Sequence, residues 1–161
     1  TDQQDPAPPE GFRLMTGRGP FSTRNGPFYV RRLEGGVAQA FFAGPDQCNG
    51  RGRVHGGMFA AFLDGLLAHA AHHGSSDPMV TVQMSINYLA GARQGVWVIG
   101  EAVLTRRTRD LAFVEAVLRA DGQDLVRAEH GGDRILCQAA DEYTWKRMRH
   151  DPMGSGTCQS R

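Results

Sequence analysis

The sequence lacks several features that would place it in a specialised class of proteins. Its 161 residues include only three cysteines, an odd number without a short-spaced pair, which argues against a disulfide framework and a zinc site. Its formal net charge is only +1, so no overall field favours nucleic acid or an anionic membrane as a partner. No basic-then-apolar signal segment is present, and the longest apolar run, residues 58–71, is too short to span a bilayer. We therefore expect a cytoplasmic protein with reduced thiols and no bound metal.

Composition divides the chain into a lead-in, one domain and a tail. Residues 1–26 are rich in proline, glycine and polar residues, and residues 139–161 are mostly polar. Residues 27–138 hold the periodic segments, and a chain of this size can bury a core without disulfides. We predict a single domain over residues 27–138.

The periodic segments predict an α+β fold. Apolar residues recur at three- and four-residue steps over residues 56–73, which predicts one long helix. Alternation of apolar and polar residues predicts a strand over residues 80–88. Further strands are predicted at 28–33, 37–43, 96–105, 111–120 and 125–136. Because the connections are short and turn-like, we expect an antiparallel sheet of five to six strands.

One residue of the predicted helix is chemically out of place. Asp64 is a poor residue for a helix interior, and burying its charge without a partner would be costly. Its neighbours at helical spacing are mostly small: Gly57, Ala60, Ala61, Ala68 and Ala71. This face leaves room for another group to approach. The alternative is that Asp64 points to water or to an arginine.

A glycine-rich loop leads into the helix and ends in His55-Gly56-Gly57. Unpaired N–H groups at a helix start, at the positive end of its dipole, can stabilise an oxyanion. The alternative is a tight turn with a capping histidine. Gly56 and Asp64 are about 12 Å apart along the helix axis, too far to act on one carbonyl carbon. If both are catalytic, the simplest arrangement pairs Gly56 of one subunit with Asp64 of another.

Together, Asn49, His55-Gly56-Gly57 and Asp64 resemble the motif of hot-dog-fold acyl-CoA thioesterases of the phenylacetate-pathway type. Both intervals match that family: six residues from Asn to His, and nine from His to Asp. Residues 80–89 and 111–113 match as well, so the likeness covers about residues 26–136. The resemblance implies a sheet wrapped around the helix. It also implies a homodimer or homotetramer with active sites between subunits.

The resemblance further implies hydrolysis of the thioester of a small acyl-CoA. Gly56 N–H would polarise the carbonyl, with Asn49 and His55 helping to orient it. Asp64 of the neighbouring subunit would act as general base or nucleophile. Thr81 matches a position where some relatives carry a serine that positions the water, and a threonine hydroxyl can donate and accept likewise. No metal or redox cofactor is required, because coenzyme A is part of the substrate.

Substrate binding is assigned to Gly57 and to a basic turn. Three arginines crowd the turn between two predicted strands: Arg106, Arg107 and Arg109. Guanidinium groups suit the phosphates of CoA, although solvated turn charge is the alternative. Arg51 and Arg53, in the loop before the helix, are further candidates.

Some features leave other interpretations open. His69, His72 and His73 close the helix, and structural or solvated roles are favoured over a metal site because no carboxylate or cysteine has a helpful spacing. Tyr88 and Trp97 fall on strands, where they either pack in the core or line an acyl pocket.

Two other functions suit this resemblance: a non-catalytic acyl-CoA sensor and a hydratase or dehydratase. The N-terminal stretch is too short and proline-rich for the helix-turn-helix that would accompany a sensor. A carboxylate after His-Gly-Gly fits hydrolysis better than hydration. The acyl group, and the choice between CoA and acyl carrier protein, stay open.

Overall fold

The computed structural model describes residues 5–76, 79–128 and 135–139, the last of these as backbone alone. The strands are β1 (Arg13–Leu14), β2 (Tyr29–Leu33), β3 (Gly36–Phe42), β4 (Met79–Gln83), β5 (Asn87–Tyr88), β6 (Trp97–Arg107), β7 (Leu111–Ala120), β8 (Gln123–Ala128) and β9 (Ile135–Ala139). The helices are α1 (Pro20–Asn25) and α2 (Gly56–Ala71), with a 3-10 turn at Pro45–Gln47. The predicted tail beyond residue 139 lies outside the described residues. Across the same ranges, no helix is long and apolar enough to cross a membrane.

The strands form one sheet in which neighbours pair antiparallel. Its order is β1-β2-β3-β6-β7, after which both β8 and β9 pair with β7. The long strands β6 and β7 form its centre. At the far end, β5 pairs with β8 and β4 pairs with β9. The antiparallel arrangement predicted from the short connections is confirmed.

Helix α2 packs against one face of this sheet. It contacts β3, β4, β6, β7 and β9, so the sheet wraps around it and the predicted hot-dog architecture is confirmed. The predicted apolar face is buried, with each side chain at most 2% exposed: Phe59, Phe62, Leu63, Leu66 and Ala70. Burial of a large apolar side chain contributes about 1.5–3 kcal/mol. Gly100 permits the close approach of β6, because an added Cβ would lie 2.6 Å from Leu66 and 3.0 Å from Phe62.

The predicted strand at residues 125–136 is described only at its two ends, in β8 and β9. Both pair with β7: Ala116–Ala120 pairs with β8, and the first half of β7 pairs with β9. The predicted strand at residues 80–88 is divided into β4 and β5.

A β-bulge interrupts the first part of this predicted strand, within β4. Thr81 pairs with Cys137, whereas Gln83 pairs with Leu136, so the register shifts by one residue. Because side chains alternate between faces, one extra residue reverses which set faces the helix.

The consequence of the bulge is a polar residue on the helix side of β4. Before it, Thr81 faces α2, while Val80 and Val82 are exposed. After it, Met84 and Ile86 pack against the core. The expectation of one uninterrupted alternation over residues 80–88 was wrong at this point.

The lead-in is more ordered than its composition indicated. It contains β1 and α1, and its Phe12 is buried against Ala38 and Ala40 on the sheet face opposite α2. Trp97 packs on the same face, with its ring centroid 5.3 Å from that of Tyr29. Trp97 therefore has the packing role that was one of its two interpretations.

Candidate active site

Asp64 projects from the middle of α2 toward β4. Its side chain is exposed, and the Thr81 hydroxyl donates a hydrogen bond to its Oδ1 at 2.7 Å. Within the described ranges, no basic side chain comes within ion-pair distance of it. The alternative of an arginine partner is therefore not what the structure shows. Asp64 is a solvent-accessible carboxylate oriented by one hydroxyl.

The start of α2 provides one unpaired backbone donor. His55 is the N-cap, and its Nδ1 accepts the Gly57 N–H at 2.9 Å, as the capping-histidine alternative describes. Gly57 was predicted to bind substrate, but its N–H is occupied by this cap. Gly56 is the first helical residue, so its N–H has no acceptor within the helix, and none lies elsewhere in the described residues. Gly56 N–H is thus an unpaired backbone donor at the start of α2.

The cap also indicates the tautomer of a neutral His55 ring. Because Gly57 N–H is the donor, Nδ1 must be unprotonated, and a neutral ring then carries its proton on Nε2. His55 Nε2–H is therefore a second potential donor beside Gly56.

Asn49 shapes the loop before the helix. Its Oδ1 accepts from Arg51 N at 2.9 Å and from Arg53 N at 3.3 Å, an Asx-type arrangement that closes the loop. Its own N–H donates to the Arg53 carbonyl at 2.7 Å. The side-chain oxygen is therefore engaged in the loop, while the amide NH2 donates no hydrogen bond within the described residues.

Gly56 and Asp64 remain separated within one chain. Since α2 is continuous over Gly56–Ala71, they lie about 12 Å apart along its axis. Beside Asp64, the described residues place no strand on the outer edges of β4 and β5. Four apolar or aromatic side chains there are 40–56% exposed: Val80, Val82, Tyr88 and Leu89. A second polypeptide could approach Asp64 along this edge.

The basic turn of Arg106, Arg107 and Arg109 lies at the other end of α2. Arg107 donates to the Ala71 and His73 carbonyls and so caps the helix C-terminus, a structural contact that the phosphate interpretation did not anticipate. Arg109 pairs with Asp110, and Arg106 is exposed. This turn is about 22 Å from Gly56 along the helix axis of the same chain.

Two arginines lie nearer to Gly56. Arg53 donates to the Gly91 carbonyl at 3.1 Å, and Arg51 is exposed in the loop. Among the described residues, these two are the arginines closest in sequence to Gly56.

The helix histidines have structural contacts. His69 Nδ1 lies 2.9 Å from Nε2 of the fully buried Gln39, and His72 Nδ1 lies 2.6 Å from the Ala68 carbonyl. Burial, and then the nearby Arg18, lower the pKa of His69. In the described ranges, no three potential ligands of a metal ion cluster. The contact with Gln39 was missed, although a lone glutamine within the apolar run of β3 was its signal.

The contact that Tyr88 makes with Gly56 was also not predicted. It belongs neither to the core nor, by any contact seen here, to an acyl pocket: its hydroxyl donates to the Gly56 carbonyl at 3.0 Å. No sequence pattern linked these residues, which are 32 positions apart.

Comparison with known proteins shows what this chain is similar to. The sequence model of the thioesterase superfamily matches residues 51–127, which include Gly56, Asp64 and Thr81. This match supports a thioester hydrolase.

Individual proteins are similar to larger parts of the chain. The Pseudomonas aeruginosa protein named Putative esterase PA0474 is 27% identical over 138 residues, covering 84% of this chain and 95% of that protein. The structure of a Ralstonia eutropha phenylacetic acid degradation-related protein matches with a TM-score of 0.66 and 23% identity, covering 76% of this chain and 92% of that one. A Streptococcus mutans protein bound to acetyl-CoA matches with a TM-score of 0.62 and 19% identity, covering 70% and 88%. These structural likenesses establish the shared fold.

Proposed function

We propose that this protein hydrolyses the thioester bond of a small acyl-CoA, with Asp64 as the reacting carboxylate. The observation that carries the proposal is the exposed Asp64 carboxylate, oriented by Thr81 beside an open sheet edge. A carboxylate held in this way can accept a proton from water, and its accessibility distinguishes it from a buried structural acid. The superfamily match of residues 51–127 gives independent support.

The carbonyl end of the site is the start of α2. Gly56 N–H, the Asn49 amide and His55 Nε2–H are donors that can bind the thioester oxygen as negative charge develops on it. Water attacks the carbonyl carbon while Asp64 accepts its proton, and the tetrahedral adduct then expels the CoA thiolate to leave the free acid. In the alternative with Asp64 as nucleophile, its carboxylate displaces CoA to form an anhydride that water then hydrolyses.

We propose that each site is shared by two subunits of a homodimer or homotetramer. The separation of Gly56 from Asp64 supports this arrangement, because one thioester cannot contact both within a single chain. The exposed apolar edge next to Asp64 also supports it. Each site would join Gly56 of one chain to Asp64 of its neighbour.

Coenzyme A is the proposed carrier. The acetyl-CoA held by the Streptococcus mutans protein supports this choice. Exposed Arg106 and Arg109, or Arg51 and Arg53 near Gly56, supply charge for its phosphates. Arg107 contributes less, since its guanidinium already caps α2.

The test is a thiol-release assay over aryl-, phenylacetyl- and short- to medium-chain acyl-CoAs. At least one should release free CoA, and Asp64→Asn should lower kcat by about 100-fold or more, the contribution of a general base. Glu34→Gln, which changes an exposed carboxylate in the β2–β3 turn, is the matched control and should keep full activity.

Other outcomes separate the remaining functions. Acyl-CoA binding without CoA release indicates a sensor, and a change in the acyl chain with the thioester intact indicates a hydratase. Full hydrolysis by Asp64→Asn contradicts the proposed role of this carboxylate.

A further inference from the structure

The hydroxyl of Tyr88 contacts the backbone at the start of α2. It donates to the Gly56 carbonyl oxygen at 3.0 Å. The ring lies directly beside Gly56, because a Cβ added there would be 3.6 Å from Cε1 and 3.8 Å from Cζ of the tyrosine. Yet the side chain is 54% exposed, so it contributes little to the core.

Tyr88 reaches this position from β5, at the end of the sheet. The strand itself is held by pairing of Tyr88 with Val126 and by the Leu89 N–H, which donates to the Leu125 carbonyl at 2.9 Å. The sheet thus directs the Tyr88 hydroxyl toward the Gly56 carbonyl oxygen.

The Gly56 carbonyl oxygen belongs to a peptide group that makes a second contact. The Gly56 carbonyl and the Gly57 N–H form one peptide unit, and this N–H donates to His55 Nδ1 at 2.9 Å. The three groups therefore form a chain from the Tyr88 hydroxyl through the peptide to the imidazole. Hydrogen bonds in such a chain polarise one another, so a donor on the carbonyl strengthens the N–H as a donor.

We propose that Tyr88 is a positioning residue that acts through the Gly56–Gly57 peptide on His55. A stronger Gly57 N–H bond holds Nδ1 unprotonated, which keeps the neutral ring in the tautomer with Nε2–H. It also fixes the orientation of His55 and the start of α2, whose Gly56 N–H faces the thioester oxygen. This inference rests on the proposed hydrolysis and adds a residue that does not itself contact the reacting atoms.

The experiment compares Tyr88→Phe with the wild-type protein. Phenylalanine keeps the ring beside Gly56 and removes only the hydroxyl. We expect kcat to fall about 3- to 10-fold, the factor for one neutral hydrogen bond, with KM and Tm essentially unchanged. The matched control is Tyr29→Phe, which removes a hydroxyl on β2 beside Trp97 and should leave kcat unchanged.

A spectroscopic measurement tests the chain of hydrogen bonds independently of activity. The amide proton of Gly57 should shift upfield in Tyr88→Phe because its bond to His55 weakens, whereas Tyr29→Phe should leave it in place. Long-range ¹H–¹⁵N spectra of the imidazole should show the Nε2–H tautomer of His55 in the wild-type protein.

The outcomes separate this inference from the proposed function. If wild-type protein hydrolyses acyl-CoA and Tyr88→Phe keeps full kcat, the positioning role is wrong while the hydrolase stands. A lower Tm that accounts for the lost activity would also overturn it, since Tyr88 would then only anchor β5. If no acyl-CoA is hydrolysed, the amide proton of Gly57 still tests the inference. An unchanged chemical shift in Tyr88→Phe contradicts the proposed chain of hydrogen bonds.

Discussion

Thr81 and Asp64 form the closest side-chain contact of the candidate site. The hydroxyl donates to a carboxylate on the neighbouring helix, so it limits the rotation of that carboxylate. The identity of Asp64 as an unusual helix residue could be read from the sequence. Its contact with Thr81 of the same chain could not, because it depends on a bulge that shifts one strand by a single residue.

Substitution of Thr81 tests this contact. Valine matches threonine in shape but lacks the hydroxyl, so Thr81→Val should lower kcat about 10-fold, whereas Thr81→Ser should retain most of it. Steady-state kinetics on the preferred acyl-CoA would measure both variants. Equal activity of the valine and serine variants would contradict a role for the hydroxyl.

At the scale of the element, α2 is fixed at both ends by side chains. His55 caps its start, and Arg107 donates to carbonyls at its end, where a cation also complements the helix dipole. The helix and its apolar face were predictable because they depend on local periodicity. The division of β4 from β5 was not, because β4 pairs with β9 and β5 pairs with β8, strands distant in sequence.

The cap at the end of α2 predicts a stability effect. Arg107→Ala should lower the free energy of unfolding by about 1 kcal/mol, as two carbonyls lose their donor. Arg109→Ala, in the same turn but paired only with exposed Asp110, should change it little. Urea denaturation would measure both. A rise in KM for Arg107→Ala with unchanged stability would instead favour the phosphate-binding interpretation.

At the scale of the whole molecule, the donor at Gly56 and the acid at Asp64 occupy separate regions of the subunit. The exposed edge of β4 and β5 lies beside the acid. The distance along α2 could be calculated from the sequence once the helix was recognised. The open edge could not, because it depends on where β9 and β8 pair.

Subunit complementation tests the shared site most directly, using two variants that damage its opposite ends. Asp64→Asn removes the acid, and Gly56→Pro removes the N–H donor. Proline suits this position, because Gly56 is the first residue of the helix and His55 has an extended backbone with φ −66° and ψ 137°. Each variant alone should be nearly inactive.

Coexpressed in equal amounts with different affinity tags, the two variants should form mixed dimers in which one of two sites is intact. The account predicts recovery of about a quarter of wild-type activity in the unfractionated mixture, since random pairing makes half of the dimers mixed. Purified mixed dimers with no more activity than the separate variants would contradict a site shared between Gly56 of one chain and Asp64 of the other.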